Sequence, residues 1–191
     1  MKASHLLLFS WAVMWSLPAC ISPDPPPEFR YFDPLAGLPA LPEVESEEGL
    51  GLRFRHTAAA AFLKEAMVWR SAGGEMGTFD LWRWSEKPEK YLQWELDGIL
   101  FQQGPFQRIE TGLGPRLRVE LRAFEFIRNT GEVRVQFWAM VQASEGGTML
   151  ERLYQQTAEV PVVEPERIAE ALGTALRQGV LTLRQDLLAA F

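Results

Sequence analysis

Cysteine and histidine are nearly missing from this chain of 191 residues: Cys20 is the lone cysteine, and His5 and His56 are the two histidines. One cysteine excludes an intramolecular disulfide framework and any zinc or iron–sulfur site built from several thiolates. Two histidines leave little for metal chemistry or for a Ser-His-Asp triad. Basic residues are also short, with 19 Lys and Arg against 25 Asp and Glu and a formal charge of −6. A general nucleic-acid binder needs the opposite balance, because its affinity comes from cations that displace counterions from phosphates. A phosphate loop is absent as well: Gly112-Leu113-Gly114 runs into Pro115, with no Lys-Ser/Thr behind it. No cofactor is implied and no metal-ligand set stands out. His56 has no Ser or Cys nucleophile motif near it and reads as a surface or strand-end side chain. The neighbouring carboxylates Glu47 and Glu48 read as solvated. The composition therefore disfavours most enzymes.

Apolar residues are plentiful at 47%, enough to bury a core, and aromatics are rich, with seven Trp. The first informative run is Met1-Lys2-Ala3-Ser4-His5 followed by an apolar stretch from Leu6 to Leu17. That stretch is too short to span a bilayer, which takes about 20 residues. It fits the charged start and apolar centre of a secretory signal. It ends at Leu17-Pro18-Ala19-Cys20, which resembles a bacterial lipobox. In that chemistry the Cys20 thiol takes a diacylglycerol and the peptide is cut before Cys20. Residues 1–19 are thus expected to be a lipoprotein signal peptide. Several acyl chains anchor stably where one is marginal. Ile21 after the cysteine, in place of Asp, favours the periplasmic face of the outer membrane over the inner membrane.

Seven of the 13 prolines fall between Pro23 and Pro42, and Glu43, Glu45, Glu47 and Glu48 follow. Proline lacks an N–H and fixes φ, so residues 20–49 predict a stiff tether without helix or central strand. At about 3.1 Å per residue it reaches on the order of 80 Å. Phe29-Arg30-Tyr31-Phe32 within it is apolar enough to dock on the domain or on a partner.

Residues 50–191 carry globular patterning. Leu50-Gly51-Leu52-Arg53-Phe54-Arg55 alternates, predicting a strand with Leu50, Leu52 and Phe54 inward. Met67–Ser71 and Gly77–Leu81 flank Gly73-Gly74, a hairpin signal. Ser85 is the expected N-cap of a helix that runs to Gln103, where Gly104-Pro105 stops it. Its apolar face is Tyr91, Leu92, Leu96, Ile99 and Leu100. Leu117, Val119 and Leu121 alternate with charged residues, and the phase slips at Ala123-Phe124, the mark of a bulge. Val133, Val135, Phe137, Ala139 and Val141 form the next inward row, and Met149–Val160 supplies a last strand. Pro165 opens a terminal helix whose apolar residues repeat at three and four. This order predicts an α+β fold, a two-layer sandwich of a mostly antiparallel sheet with two amphipathic helices on one face.

These residues resemble the ABC-type transport auxiliary lipoprotein component family. The resemblance is carried by the lipobox, Arg30-Tyr31-Phe32, the strand from Leu50 to Arg55, Met67-Val68-Trp69-Arg70, and Arg83-Trp84-Ser85-Glu86-Lys87-Pro88 opening a helix. Thr57–Lys64 departs from the family pattern. The resemblance implies a non-enzymatic docking component of a system that moves phospholipids or other hydrophobic molecules between membranes. Its implied partners are a mammalian-cell-entry-domain protein and ABC transporter subunits, with the membrane reached through the lipid anchor. The sequence leaves a homo-oligomer open.

Four residues beside Cys20 are candidates for partner binding: Arg83, Trp84, Trp138 and Met140. Trp and Arg dominate interfaces because they bury area and hydrogen-bond together. For Trp84 the competing reading, and the favoured one, is a staple holding the helix start to the sheet. Trp138 and Met140 lie opposite the Val133–Val141 row and are exposed wherever that row is buried. An alternative function is a lipid-binding or outer-membrane assembly chaperone, which requires a deep apolar groove between sheet and helices.

Overall fold

The computed structural model describes residues 27–41 and 49–191. The signal segment, Cys20 and the acidic residues from Glu43 to Glu48 lie outside the described residues. The longest strands are β7 (Arg116–Ile127), β8 (Glu132–Gln142) and β9 (Thr148–Glu159), joined as antiparallel neighbours. Alternation builds them: Val133, Val135, Phe137, Ala139 and Val141 of β8 are all buried, and the residues between them are partly exposed. β7 follows the same rule through Leu117, Val119 and Leu121. The pairing then slips: Leu121 stands opposite Phe137, and Ala123 stands opposite Gln136. That extra residue is the expected bulge, and it brings Phe124 and Phe126 back to the core face beside Val135 and Val133.

The other side of β7 takes two short parallel partners in succession. β3 (Ala58–Ala59) pairs with Glu120-Leu121, and β4 (Ala66–Arg70) pairs through Val68–Arg70 with Glu125–Ile127. β4 turns into β5 (Met76–Trp84) through the expected hairpin. At the far edge β1 (Arg30–Phe32) lies parallel to Trp82–Trp84. The sheet order is β1-β5-β4-β7-β8-β9, with β3 beside β7. β2 (Leu50–Leu52) and β6 (Phe106–Arg108) form a separate parallel ribbon.

Two helices cover the core face. α2 (Pro165–Ala190) opens with Pro165 and buries Ile168, Leu172, Leu176, Val180, Leu183 and Leu187 at the predicted spacing. α1 (Pro88–Leu96) buries Tyr91, Leu92 and Leu96. The chain is thus an α+β two-layer sandwich, as its sequence predicts, with the parallel strands confined to one half of the sheet.

Three local expectations are corrected. Ser85 does not cap α1: its hydroxyl shares a 2.9 Å hydrogen bond with the Tyr91 hydroxyl, and Lys87 occupies the cap position without a side-chain bond. The helix does not continue regularly to Gln103, because Asp97–Gln102 widens into a π-helical turn closed by the Gln103 N–H on the Gly98 carbonyl at 3.0 Å. That turn still places Ile99 and Leu100 in the core and stacks Phe101 on Phe54. Leu50 is exposed: it shares a strand face with the buried Leu52 but stands at the first position of β2, where the core ends.

Part of the proline-rich stretch is docked. β1 is an edge strand, Phe32, Leu35 and Leu41 pack on the core, and Pro34 is buried against α2. The reason is local: at Gly173 a Cβ would sit 1.8 Å from the Pro34 carbonyl oxygen, so only glycine lets the segment approach α2 this closely. Arg177 of α2 donates two hydrogen bonds to the Glu95 carboxylate of α1, at 2.8 Å each, and also donates to the Pro39 carbonyl. One guanidinium thus ties together both helices and the N-terminal segment.

Candidate functional site

The face of the sheet away from the helices carries Arg116, Arg118, Glu120 and Arg122 on β7, and Arg134, Gln136, Trp138 and Met140 on β8. At the β3 edge the chain from Arg53 to Ala58 runs beside β7. Arg53 is bridged to Arg116 and Ala58 to Glu120, so five steps of one chain cover four of the other. A bulge of this kind turns side chains out of the plane of the sheet. Beside it a cleft of about 800 Å³ opens between this edge, the β6–β7 connection and Trp138.

The cleft is cationic although the chain is acidic. Arg53, Arg55, Arg108, Arg116, Arg118 and His56 line it, against Glu110 and Glu120. Arg108 is neutralised by Asp97 and lies over the Phe101 ring at 4.5 Å. Glu120 is engaged by Arg122 at 3.5 Å. Among the described residues, Arg53, Arg55, Arg116 and Arg118 have no carboxylate within 4.0 Å. Arg53 and Arg116 are direct cross-strand partners, an arrangement of like charges that opposes the pairing. The chemistry on offer is recognition of anions: guanidinium forks fit carboxylate and phosphate oxygens.

An apolar strip adjoins the cleft. Trp138 and Met140 are half-buried on the open face, and Leu153 of β9, opposite Trp138, is 46% exposed. The indole N–H of Trp138 donates to Glu151 at 3.2 Å, and the Arg122 guanidinium stands 5.7 Å from its ring. The structure therefore brings Trp138 to the cleft wall and puts Met140 beside it, on the face where they were expected.

Arg83 and Trp84 are elsewhere. Trp84 is 1% exposed and packs edge-on against Tyr91 and Phe124, so it staples α1 to the sheet and presents nothing to a partner. Arg83 bonds the Phe79 and Trp82 carbonyls of its own strand and stacks at 4.4 Å on Phe29. Neither stands at the cleft: Trp84 is core, and Arg83 holds the N-terminal segment. Cys20 lies outside the described residues.

A second charged group sits on the open face but is closed. Glu125 is fully buried, and its Oε1 accepts from Arg70 at 2.9 Å and from Arg134 at 3.0 Å. Its Oε2 has no partner among the described residues. Both arginines are spent on it, so this group fastens β4, β7 and β8 together. No cluster of His, Cys, Asp and Glu suited to a metal ion occurs among the described residues.

The cleft arginines were not singled out in the sequence. The signal present was a pair of Arg-x-Arg steps, Arg53/Arg55 and Arg116/Arg118, each placing two cations on one strand face. What the sequence does not carry is the parallel pairing that joins steps about 60 residues apart.

No family model matches this sequence, and no curated protein sequence matches it. Solved structures do resemble it. A Xanthomonas campestris protein of the DUF330 family superposes with a TM-score of 0.67 at 14% identity, covering 83% of this chain and 95% of the other. The crystal structure of an uncharacterized protein superposes at 0.60 with 11% identity, covering 84% and 99%. At these identities the likeness is one of fold.

Proposed function

We propose that this chain is a lipid-anchored, non-enzymatic docking component of an ABC-type assembly that moves phospholipid or another hydrophobic molecule between membranes. The observation that carries the reading is the order Leu17-Pro18-Ala19-Cys20, prolines, β1 and then a sandwich with an open recognition face. An anchor needs a lipidated residue ahead of the fold, and a docking module needs a surface its own helices leave uncovered. No helix among the described residues is long and apolar enough to cross a membrane, so membrane attachment in this reading falls to Cys20. The order of elements also follows the family resemblance: Met67–Arg70 forms β4, and Arg83–Pro88 is the junction of β5 with α1. The partners are a mammalian-cell-entry-domain protein and its transporter subunits, met at the outer membrane's periplasmic face.

A lipid-carrying chaperone would need an apolar groove between the layers. That space is filled by Phe137, Leu172, Leu176, Val180 and their neighbours, all buried, which favours docking over carriage. Affinity purification of the full chain from a native host, after in situ crosslinking, is expected to recover a mammalian-cell-entry-domain protein. Repeated recovery of the bait without one sinks the reading.

A further inference from the structure

We infer that the arginine cleft receives an extended acidic peptide segment of a partner protein, held by carboxylates on alternate residues. The inference rests on the docking reading and names the chemistry of the docked element. Arg53 and Arg55 occupy alternate positions along one chain, and Arg116 and Arg118 along the next, with Arg53 in register with Arg116. Alternate residues of a strand stand about 7 Å apart and on one face, so Arg116 and Arg118 of β7 stand at that repeat; Arg53 completes a rung with Arg116, and Arg55 follows where that pairing has ended. An extended peptide with Glu or Asp at every second position presents carboxylates at the same repeat. One carboxylate then meets the Arg53–Arg116 rung, which relieves the opposition between like charges across the bridge, and the next meets Arg118.

Three observations favour a peptide over a single phosphate group or a membrane. Arg55, Arg116 and Arg118 are exposed, and Arg116 and Arg118 are spaced along β7 and not set at one position. The cleft ends at the Trp138–Leu153 strip, which suits apolar residues flanking the acidic ones. Lastly, Asp97 is engaged by Arg108 and Glu120 by Arg122, and among the described residues no carboxylate, Glu110 included, lies within 4.0 Å of Arg53, Arg55, Arg116 or Arg118.

The test is fluorescence anisotropy with the purified full chain in detergent. The probe is a labelled peptide of about a dozen residues with Glu alternating with Thr, against a peptide of the same composition with its Glu in one block. The alternating peptide is expected to bind more tightly than the block peptide, and to weaken as salt rises from about 50 to about 200 mM. Arg116→Gln/Arg118→Gln is expected to weaken it roughly tenfold or more. Arg55→Gln/Arg118→Gln, which leaves the Arg53–Arg116 bridge intact, repeats the test should the first variant misfold, and Arg167→Gln on α2 leaves binding unchanged. Equal binding by wild type and both double variants overturns the inference, as does equal binding of the two peptides. Arginine-dependent sedimentation with phosphatidylglycerol vesicles, with no peptide binding, also overturns it and assigns the cleft to a membrane. Peptide binding lost while the crosslinked partner is still recovered removes the cleft assignment alone.

Discussion

Glu125 shows how one side chain can hold three strands. It is wholly buried, and Arg70 and Arg134 bond the same oxygen from either side. Removing one partner of a buried ion pair costs more than the pair contributes, because the remaining charge is left uncompensated. Both arginines keep side-chain exposures near 30%, so the cost is discounted. Glu125→Gln is expected to lower stability by about 2 kcal/mol, read as a lower urea midpoint at unchanged slope. An unchanged midpoint would mean that the triad is not structural. Tyr154 makes a different residue-scale prediction. Burial, and then its hydrogen bond to Asp186 at 2.8 Å, raise its phenol above the ordinary value near 10. The folded state therefore keeps a proton that the unfolded chain releases. Stability from this group is complete below pH 10 and declines as pH rises above it. Tyr154→Phe is expected to flatten that alkaline decline, at a cost of about 1 kcal/mol at neutral pH from the lost hydrogen bond. Thermal melts across the alkaline range check both signs.

Among the elements, β8 and α2 were fully legible. Val133–Val141 alternates without a break, and the terminal helix repeats at three and four from Ile168 to Leu187, so burial on one face dictated both. The β7 bulge was legible too, because a slip of one residue in a period of two can be counted. The placement of β1 was not. Proline excludes central strands, and Arg30–Phe32 satisfies that rule by taking an edge, where its partner lies 50 residues away. Nothing local encodes such a partner, and the same holds for the arginine ladder. Leu50 was misplaced although its face was read correctly, since Leu52 and Phe54 are buried: alternation says which face turns inward, and not how far along the strand the core extends. Gly173→Ala tests the docking of β1 directly. The new methyl displaces the Pro34 carbonyl, so the Ser85 N–H, which donates to the Phe32 carbonyl at 3.0 Å, is expected to lose hydrogen-exchange protection. Alanine also raises helix propensity by about 1 kcal/mol, so global stability is the wrong readout and local exchange is the right one. Unaltered protection of Ser85 would show that the segment tolerates the methyl.

For the whole molecule, the proposed anchor and the sandwich are separable. Cys20 precedes every described element, so Cys20→Ala is expected to leave the unfolding midpoint unchanged while abolishing incorporation of labelled palmitate and partition into the membrane fraction. Wild-type chain that fails to take up palmitate removes the anchored reading. The docked N-terminal segment gives this arrangement a mechanical character. Had residues 20–49 hung free, any pull on the anchor would have entered the sandwich at β2, in a small ribbon apart from the main sheet. With β1 seated along β5, the load enters the main sheet at its edge, in line with a parallel strand pair, and the Arg177 clamp on Pro39 stands behind it. With Cys20 lipidated as proposed, the residues from Cys20 to Glu28 separate the anchor from the first docked side chain, Phe29, on the order of 30 Å at full stretch. On the proposed anchoring, a domain held this short would work close to its own bilayer, and a partner from the opposite membrane would have to bridge most of the gap itself.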